Sequence, residues 1–320
     1  ADPFERGWRG RTEQVGSMKK IVVLGAGTAG TMMANKLVRA LPEREWKVTV
    51  VDRDDTHVYQ PGLLFLPFQM YREEDIVKPR SGLLDRRVDV RLTGIDRIAP
   101  DAREVHLTGG DVLAYDVLIV ATGSRIVPEQ TPGLTGVGWK ETAFDFYSLE
   151  GALALRAKLD GWKGGRLVLN VVENPIKCPV APLEFLFLAE AFFAKKRIRD
   201  KVEIVYATPL EGAFTKPKAS AMLGDLLTRR RIGVVGDFSV SEVDGEHGVL
   251  RGYDGREIPY DLLVTIPLHA GAEPISKSEM GDQGGWFPTD KHTLRAEKWG
   301  DVFAIGDATS VPASKAGSVT

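Results

Sequence analysis

One cysteine occurs in 320 residues. No disulfide can therefore close within the chain, and a four-thiolate metal site is excluded. Histidine is scarce too: the five residues at 57, 106, 247, 269 and 292 show no i, i+4 ligand spacing, so no built-in metal site is expected. Net charge is small, with 42 Lys+Arg against 44 Asp+Glu giving −2. Without a basic stripe to displace counterions there is no electrostatic drive toward nucleic acid. No apolar run reaches the about 18 residues a membrane span needs. The most apolar stretch, Leu183 to Ala194, is broken by Glu184 and Glu190 and reads as a buried amphipathic helix. The opening ADPFERGWRGRTEQVGS lacks the apolar core of an export signal; residues 1–17 read as a leader ahead of a natural start at Met18, and a cytoplasmic location is expected. Hydrophobic residues at 43% and charged residues at 27% make an ordinary globular balance. The length suits about two domains at roughly 100–200 residues each.

What is present is a duplication. KKIVVLGAGTAG is an apolar strand opening a helix-like pattern, followed by a second strand, KVTVVD, and later by AYDVLIVATG, a continuous apolar strand entering a glycine turn. The second half repeats the order. GRLVLNVV leads through a loop into LEFLFLAEAFFAKK; KVEIVY matches KVTVVD at an offset of 154, and PYDLLVTIPL matches AYDVLIVATG at an offset of 145. Apolar strands alternating with helices mean parallel sheets covered on both faces. The expected fold is α/β, with two doubly wound, Rossmann-like dinucleotide-binding-type domains, each carrying a β-rich insertion before its last strand. The stretch VFAIGDATS (302–310) reads as a buried strand returning to the first domain. That domain is thus expected over 18–125 and 285–320, and the second over 126–284.

Gly25-x-Gly27-x-x-Gly30 follows a strand and opens a helix, with Thr28 and Ala29 inside the motif. Gly25 permits the tight turn, Gly27 lets a pyrophosphate approach the backbone, and Gly30 lets helix and strand pack closely. The helix N-terminus offers free N–H groups to the phosphates. Asp52 ends the next strand, where its carboxylate can accept a hydrogen bond from a ribose hydroxyl. Strand, triplet, helix, strand and acid in this order specify a dinucleotide. Ala121-Thr122-Gly123 and Gly306-Asp307 are locally no more than strand-ending turns, but with the triplet they fit a flavoprotein chain that revisits one long FAD molecule. Asp307 would then meet the ribityl hydroxyls, and the helix expected after it would point its positive end at the flavin.

The matching loop of the second copy reads NVVENPIKCPVAP. No glycine stands between Gly165 and Gly212, prolines 175, 179 and 182 remove N–H donors, and Tyr206 aligns with Asp52. This copy is not expected to bind a nicotinamide dinucleotide in the usual way. The chain's only cysteine, Cys178, sits in that loop. Lys177 beside it and the helix N-terminus just beyond favour the thiolate; the alternative is an inert buried thiol. Glu184, in the first helical turn, is either a general base for that thiol or an acid suited to the helix dipole. Lys315 could balance a reduced flavin or start a helix.

At these residues the chain resembles the sulfide:quinone oxidoreductase family, within the two-dinucleotide-domain flavoproteins, and is similar to the flavoprotein subunit of flavocytochrome c sulfide dehydrogenase. The resemblance runs from about Met18 to Thr320. It is carried by GAGTAG (25–30), HVYQPGLLFLPF (57–68), ATG (121–123), KCPVAPLEF (177–185), FTKP (214–217) and AIGDATSVPASKAG (304–317). The resemblance implies FAD in the first domain, held by Gly25, Gly27, Gly30, Asp52 and Asp307. It also implies a redox cysteine at Cys178 with the acid Glu184, sulfide as electron donor and a quinone from the membrane as acceptor. The family's second cysteine and its membrane-seating segments lie beyond the Gly-Asp motif, so that part of the family pattern is expected to be missing. The full-length form is expected at the inner face of the cell membrane. A homo-oligomer stays open. Two other readings compete: a type II NADH dehydrogenase, which needs a working second glycine triplet, and a flavin-binding sensor or scaffold without turnover.

Overall fold

The computed structural model describes residues 18–312; the expected leader, Lys315 and the helix expected after Asp307 lie outside them. In the first half β1 (Lys19–Leu24), α1 (Thr28–Ala40) and β2 (Trp46–Asp52) make the opening unit. Both strands are rich in β-branched residues and deeply buried, as a helix-covered parallel sheet requires. Helix α1 buries Ala34 and Val38 while exposing Lys36 and Arg39. The chain continues through β3 (Thr56–Val58), α2 (Glu73–Ile76), β4 (Val77–Pro79) and β5 (Asp89–Leu92). An antiparallel insertion of β6 (Ile95–Ala99), β7 (Glu104–Leu107) and β8 (Val112–Ala114) follows, then β9 (Val117–Val120).

After β10 (Ser124–Ile126) the second half runs β11 (Ala143–Phe144), α3 (Leu149–Gly161), β12 (Gly165–Val171), α4 (Ala181–Lys195), β13 (Val202–Ala207), α5 (Pro217–Arg229) and β14 (Ile232–Val235). Its antiparallel insertion is β15 (Val240–Asp244), β16 (Val249–Gly252) and β17 (Glu257–Pro259), followed by β18 (Leu262–Ile266), β19 (His269–Gly271), α6 (Glu273–Lys277) and β20 (Val302–Ala304). The two main sheets are five-stranded, in the orders β20-β9-β1-β2-β5 and β11-β18-β12-β13-β14. Every neighbouring pair in them is parallel. The fold is α/β, with two Rossmann-like units that share four strands in the same order, β9-β1-β2-β5 and β18-β12-β13-β14; the outer strand comes last in the chain in the first unit (β20) and first in the second (β11).

The register corrects one alignment drawn from sequence. Asp116 Oδ2 accepts the Lys20 N–H at 2.7 Å, and Asp261 Oδ2 accepts the Arg166 N–H at 2.6 Å, so Lys20 and Arg166 are equivalent. Lys20 pairs with Lys47 and Arg166 with Glu203. The residue matching Asp52 is therefore Thr208, two positions beyond Tyr206. Thr208 is fully buried and its hydroxyl accepts the Leu210 N–H, so the acid is still lost from the second copy. A slide of two leaves every side chain on its proper face, which is why the apolar patterns could not reveal it.

The division of the chain is also corrected. Ile275 and Met280 are buried with Val22, Leu24 and Leu118 around the first sheet, so residues 272–284 pack with the first unit rather than with the second. The chain crosses between units at β10 and β19, which pair antiparallel with each other, Ser124 opposite Gly271 and Ile126 opposite His269. A second bond between units is apolar. Leu63, Leu64, Leu66 and Phe68, from the HVYQPGLLFLPF segment, share a core with Phe146, Phe185 and Phe193. Phe68 stands 5.0 Å from Phe185, and Phe146 stacks on Phe185 at 4.9 Å.

Candidate active site

The glycine loop turns at the end of β1. Gly25 has φ +94°, and a Cβ there would stand 2.4 Å from the Ala121 carbonyl oxygen; one on Gly30 would stand 1.9 Å from the Gly25 carbonyl oxygen. Both glycines are demanded by close backbone approach. A Cβ on Gly27 would meet nothing within 4 Å, leaving an open face beside the start of α1. No side chain caps that helix end and no acid lies in its first turn, so its N–H groups favour an anion. Gly306, with φ +67°, would bring a Cβ 3.0 Å from that of Ala29. Gly25, Ala29, Gly30, Ala121 and Gly306 thus converge at the ends of β1, β9 and β20.

Asp52 is bonded into the glycine loop itself. Its Oδ2 accepts the Ala26 N–H at 2.7 Å and pairs with Arg80 Nη1 at 2.9 Å, while Oδ1 accepts the Arg53 N–H at 2.8 Å. Arg80 also donates to the Ala26 carbonyl at 2.7 Å, and His57 Nδ1 lies 3.2 Å from that oxygen. Asp52 and Arg80 together hold the glycine loop in shape, and spare lone pairs remain on the carboxylate for a hydroxyl donor. At the ATG turn, Thr122 Oγ1 and Ser124 Oγ are buried without a hydrogen-bond partner. Buried polar atoms are rarely left so, and here they flank Gly123 (φ +68°), whose missing side chain also faces open space. Open glycine faces, an uncapped helix end and two orphaned hydroxyls on the adjoining turns after β1 and β9 fit a bound dinucleotide.

In the second unit the connection from β12 to α4 spans residues 172–180, where the first unit uses only 25–27. This enlarged loop carries Lys177 and Cys178 toward the first unit. Cys178 is half-buried, with φ +52°, a left-handed backbone that costs an ordinary residue about 1 kcal/mol. The Tyr147 hydroxyl donates to the Lys177 carbonyl at 2.8 Å, and the Ala181 N–H to the Cys178 carbonyl at 3.0 Å. Lys177 Nζ donates to Gln60 Oε1 at 2.7 Å and lies 3.9 Å from Asp307 Oδ2. The loop of one unit is thereby fastened to the Gly306–Asp307 turn of the other. Those two residues and Ala308 form a single turn of 3-10 helix, after which the backbone is extended at Thr309.

The electrostatics correct the expectation that Cys178 favours its thiolate. Burial pushes the thiol up, and the nearby Glu184 carboxylate pushes it further; the Ala181 and Val180 N–H groups and then Lys177 oppose this without prevailing. Glu184 itself is exposed on the first turn of α4. Burial lowers Lys177, with Asp307 and Cys178 acting in the other direction. Sequence reasoning passed over Tyr147, Gln60 and His269. The His269 ring lies edge-on to Tyr147 at 5.2 Å; its Nδ1 donates to the Pro267 carbonyl at 3.0 Å, and its Nε2 is buried with no partner. Burial, aided by the Lys177 charge, holds it neutral by moving its pKa down to about 4.

Residues 19–171 match the sequence family described as Pyridine nucleotide-disulphide oxidoreductase. The mouse mitochondrial sulfide:quinone oxidoreductase is 27% identical over 303 residues, covering 92% of this chain and 67% of that one. The chain is homologous to the sulfide:quinone oxidoreductases. It is an FAD-dependent oxidoreductase, and the three turns that carry Gly25, Gly27, Gly30, Thr122, Gly123 and Gly306 fit that cofactor. The type II NADH:quinone oxidoreductase of Staphylococcus aureus is 29% identical over 319 residues, covering 93% of this chain and 76% of its own. The crystal structure of the sulfide:quinone oxidoreductase from Aquifex aeolicus superposes with a TM-score of 0.80 at 20% identity, over 92% of this chain and 69% of that one. That likeness shows the shared fold. Among the described residues of this oxidoreductase, no helix is long and apolar enough to cross a membrane, and no cluster of His, Cys, Asp or Glu is arranged to hold a metal ion.

Proposed function

We propose that this flavoenzyme oxidises sulfide to sulfane sulfur at Cys178 and passes the electrons to a quinone, working as a peripheral protein at the inner face of the cell membrane. One observation carries the reading. The second unit lacks the glycine turn and the ribose acid that a nicotinamide dinucleotide needs, and the loop that replaces them fastens Lys177, next to the thiol, onto the turn of Asp307.

FAD, when bound against Gly27, Thr122 and Gly306–Asp307, supplies the two-electron acceptor. On the chain itself the chemistry is formation of one S–S bond. The Cys178 thiol and hydrogen sulfide together release two electrons and two protons and leave a Cys178 persulfide. Burial and Glu184 keep the thiol protonated at rest, so its proton must leave before the sulfur reacts. In this reading the Glu184 carboxylate, whose charge is felt at the thiol, takes it. Lys177 and the Val180 and Ala181 N–H groups hold the negative sulfur once formed. Tyr147, donating to the Lys177 carbonyl, fixes the loop that aims the sulfur.

The test is anaerobic titration of the FAD-loaded protein. Sulfide is expected to bleach the flavin and NADH to leave it oxidised, and C178S is expected to lose the sulfide response while retaining FAD. Bleaching by NADH but not by sulfide would overturn the proposal in favour of a type II NADH dehydrogenase. The names of the mouse and Staphylococcus relatives support quinone as the acceptor, and reoxidation of the sulfide-reduced enzyme by a soluble quinone checks it.

A further inference from the structure

Lys177 is a cation in an unusual position. Its side chain is 15% exposed, it belongs to the second unit, and its two polar partners, Gln60 and Asp307, belong to the first. Burying an ammonium is costly unless it is paired. Here the carbonyl of Gln60 at 2.7 Å is the closer contact and carries no charge, while the carboxylate stands at 3.9 Å. The positive charge is thus held in place without being fully neutralised by contact. The titratable groups around it are Asp307, Cys178, His269 and Tyr147, with Glu184 beyond the thiol.

We propose that Lys177 is a positioning and potential-setting residue: its ammonium, locked between Gln60 and Asp307, seats the Cys178 loop on the flavin turn and supplies the positive charge that favours reduction there. Two electrons arriving with one proton leave one net negative charge at the flavin ring, and a fixed cation on the facing loop stabilises that charge. The inference rests on the FAD seat described above and not on sulfide as the electron donor.

The test uses the FAD-loaded protein, reduced stepwise by dithionite against a redox dye, so that an enzyme inert to sulfide is still informative. In K177M the oxidised form is expected to gain about tenfold over the reduced form, a fall of about 30 mV for a two-electron couple. K177R, which keeps the charge, is expected to recover most of it. As a second readout, the pH midpoint for iodoacetamide alkylation of Cys178 is expected to rise in K177M and not in K177R. An unmoved potential in K177M, or K177R displaced as far as K177M, would overturn the proposal. If K177M does not fold, Q60L carries the test. Loss of the 2.7 Å anchor must lower the potential in the same direction by a smaller amount, and an unmoved potential in Q60L refutes the claim. Failure of sulfide to bleach a protein whose potential depends on Lys177 would remove the proposed substrate and leave this inference standing.

Discussion

Replacing Glu184 by glutamine separates the two roles that its position allows. The carboxylate is the second cause, after burial, of the raised Cys178 pKa, and it sits on an exposed helical turn. A charge pair near a protein surface at close range is worth a few kcal/mol, which solvent screening at an exposed carboxylate reduces to about 1 kcal/mol. Removing that energy corresponds to about fivefold more thiolate at neutral pH. A thiolate of lower pKa is also intrinsically less nucleophilic, with a Brønsted coefficient of about 0.5, so roughly half of the logarithmic gain is lost. E184Q is thus expected to alkylate with iodoacetamide about twofold faster at neutral pH, with its pH midpoint lowered. Cys178 is the only cysteine, so the whole signal is its own. If Glu184 is also the proton acceptor, turnover falls in the same variant although the thiol has become easier to ionise. A pH midpoint that stays put or rises would refute the electrostatic argument, whatever happens to turnover.

Three further outcomes are expected. G25A forces a Cβ to within 2.4 Å of the Ala121 carbonyl oxygen at a positive φ, and should purify without flavin absorbance and melt at lower temperature. F185A removes a fully buried ring packed against Phe68 and Phe146; denaturant unfolding should show a loss of about 3–5 kcal/mol. His269, with a pKa of about 4 in the fold against about 6.5 unfolded, binds its proton more readily in the unfolded chain. Stability should therefore fall by about 3 kcal/mol as pH drops from about 6.5 through 4. H269Q should flatten that part of the pH–stability curve, and an unchanged slope would show that the ring is not held neutral.

The sheets were legible because burial on both faces writes continuous apolar strands, and the glycine turn because only glycine tolerates the approach of the Ala121 and Gly25 carbonyls. The two-residue slip between KVTVVD and KVEIVY was not legible, since both runs alternate the same way and only the hydrogen bonds of Asp116 and Asp261 fix their register. The partners of the Cys178 loop were hidden for a different reason. Gln60 and Lys177 lie 117 positions apart, and neither type of residue marks a site by itself. Cys178 was placed in the correct loop, but its acidity was misjudged: neighbours along the chain are visible in a sequence, whereas burial is a property of the fold.

The β10–β19 ribbon decides how the two halves are tied. Outbound and returning backbone pass side by side there, bonded to each other, so the connection behaves as one narrow strap instead of two separated tethers. The strap works beside the apolar contact of Phe68 with Phe185 and the Lys177 bond to Gln60, so the halves are joined at three places. His269 lies on that strap, and Tyr147 packs against its ring and bonds the Lys177 carbonyl, so the strap and the loop that carries the sulfur are built as one continuous contact.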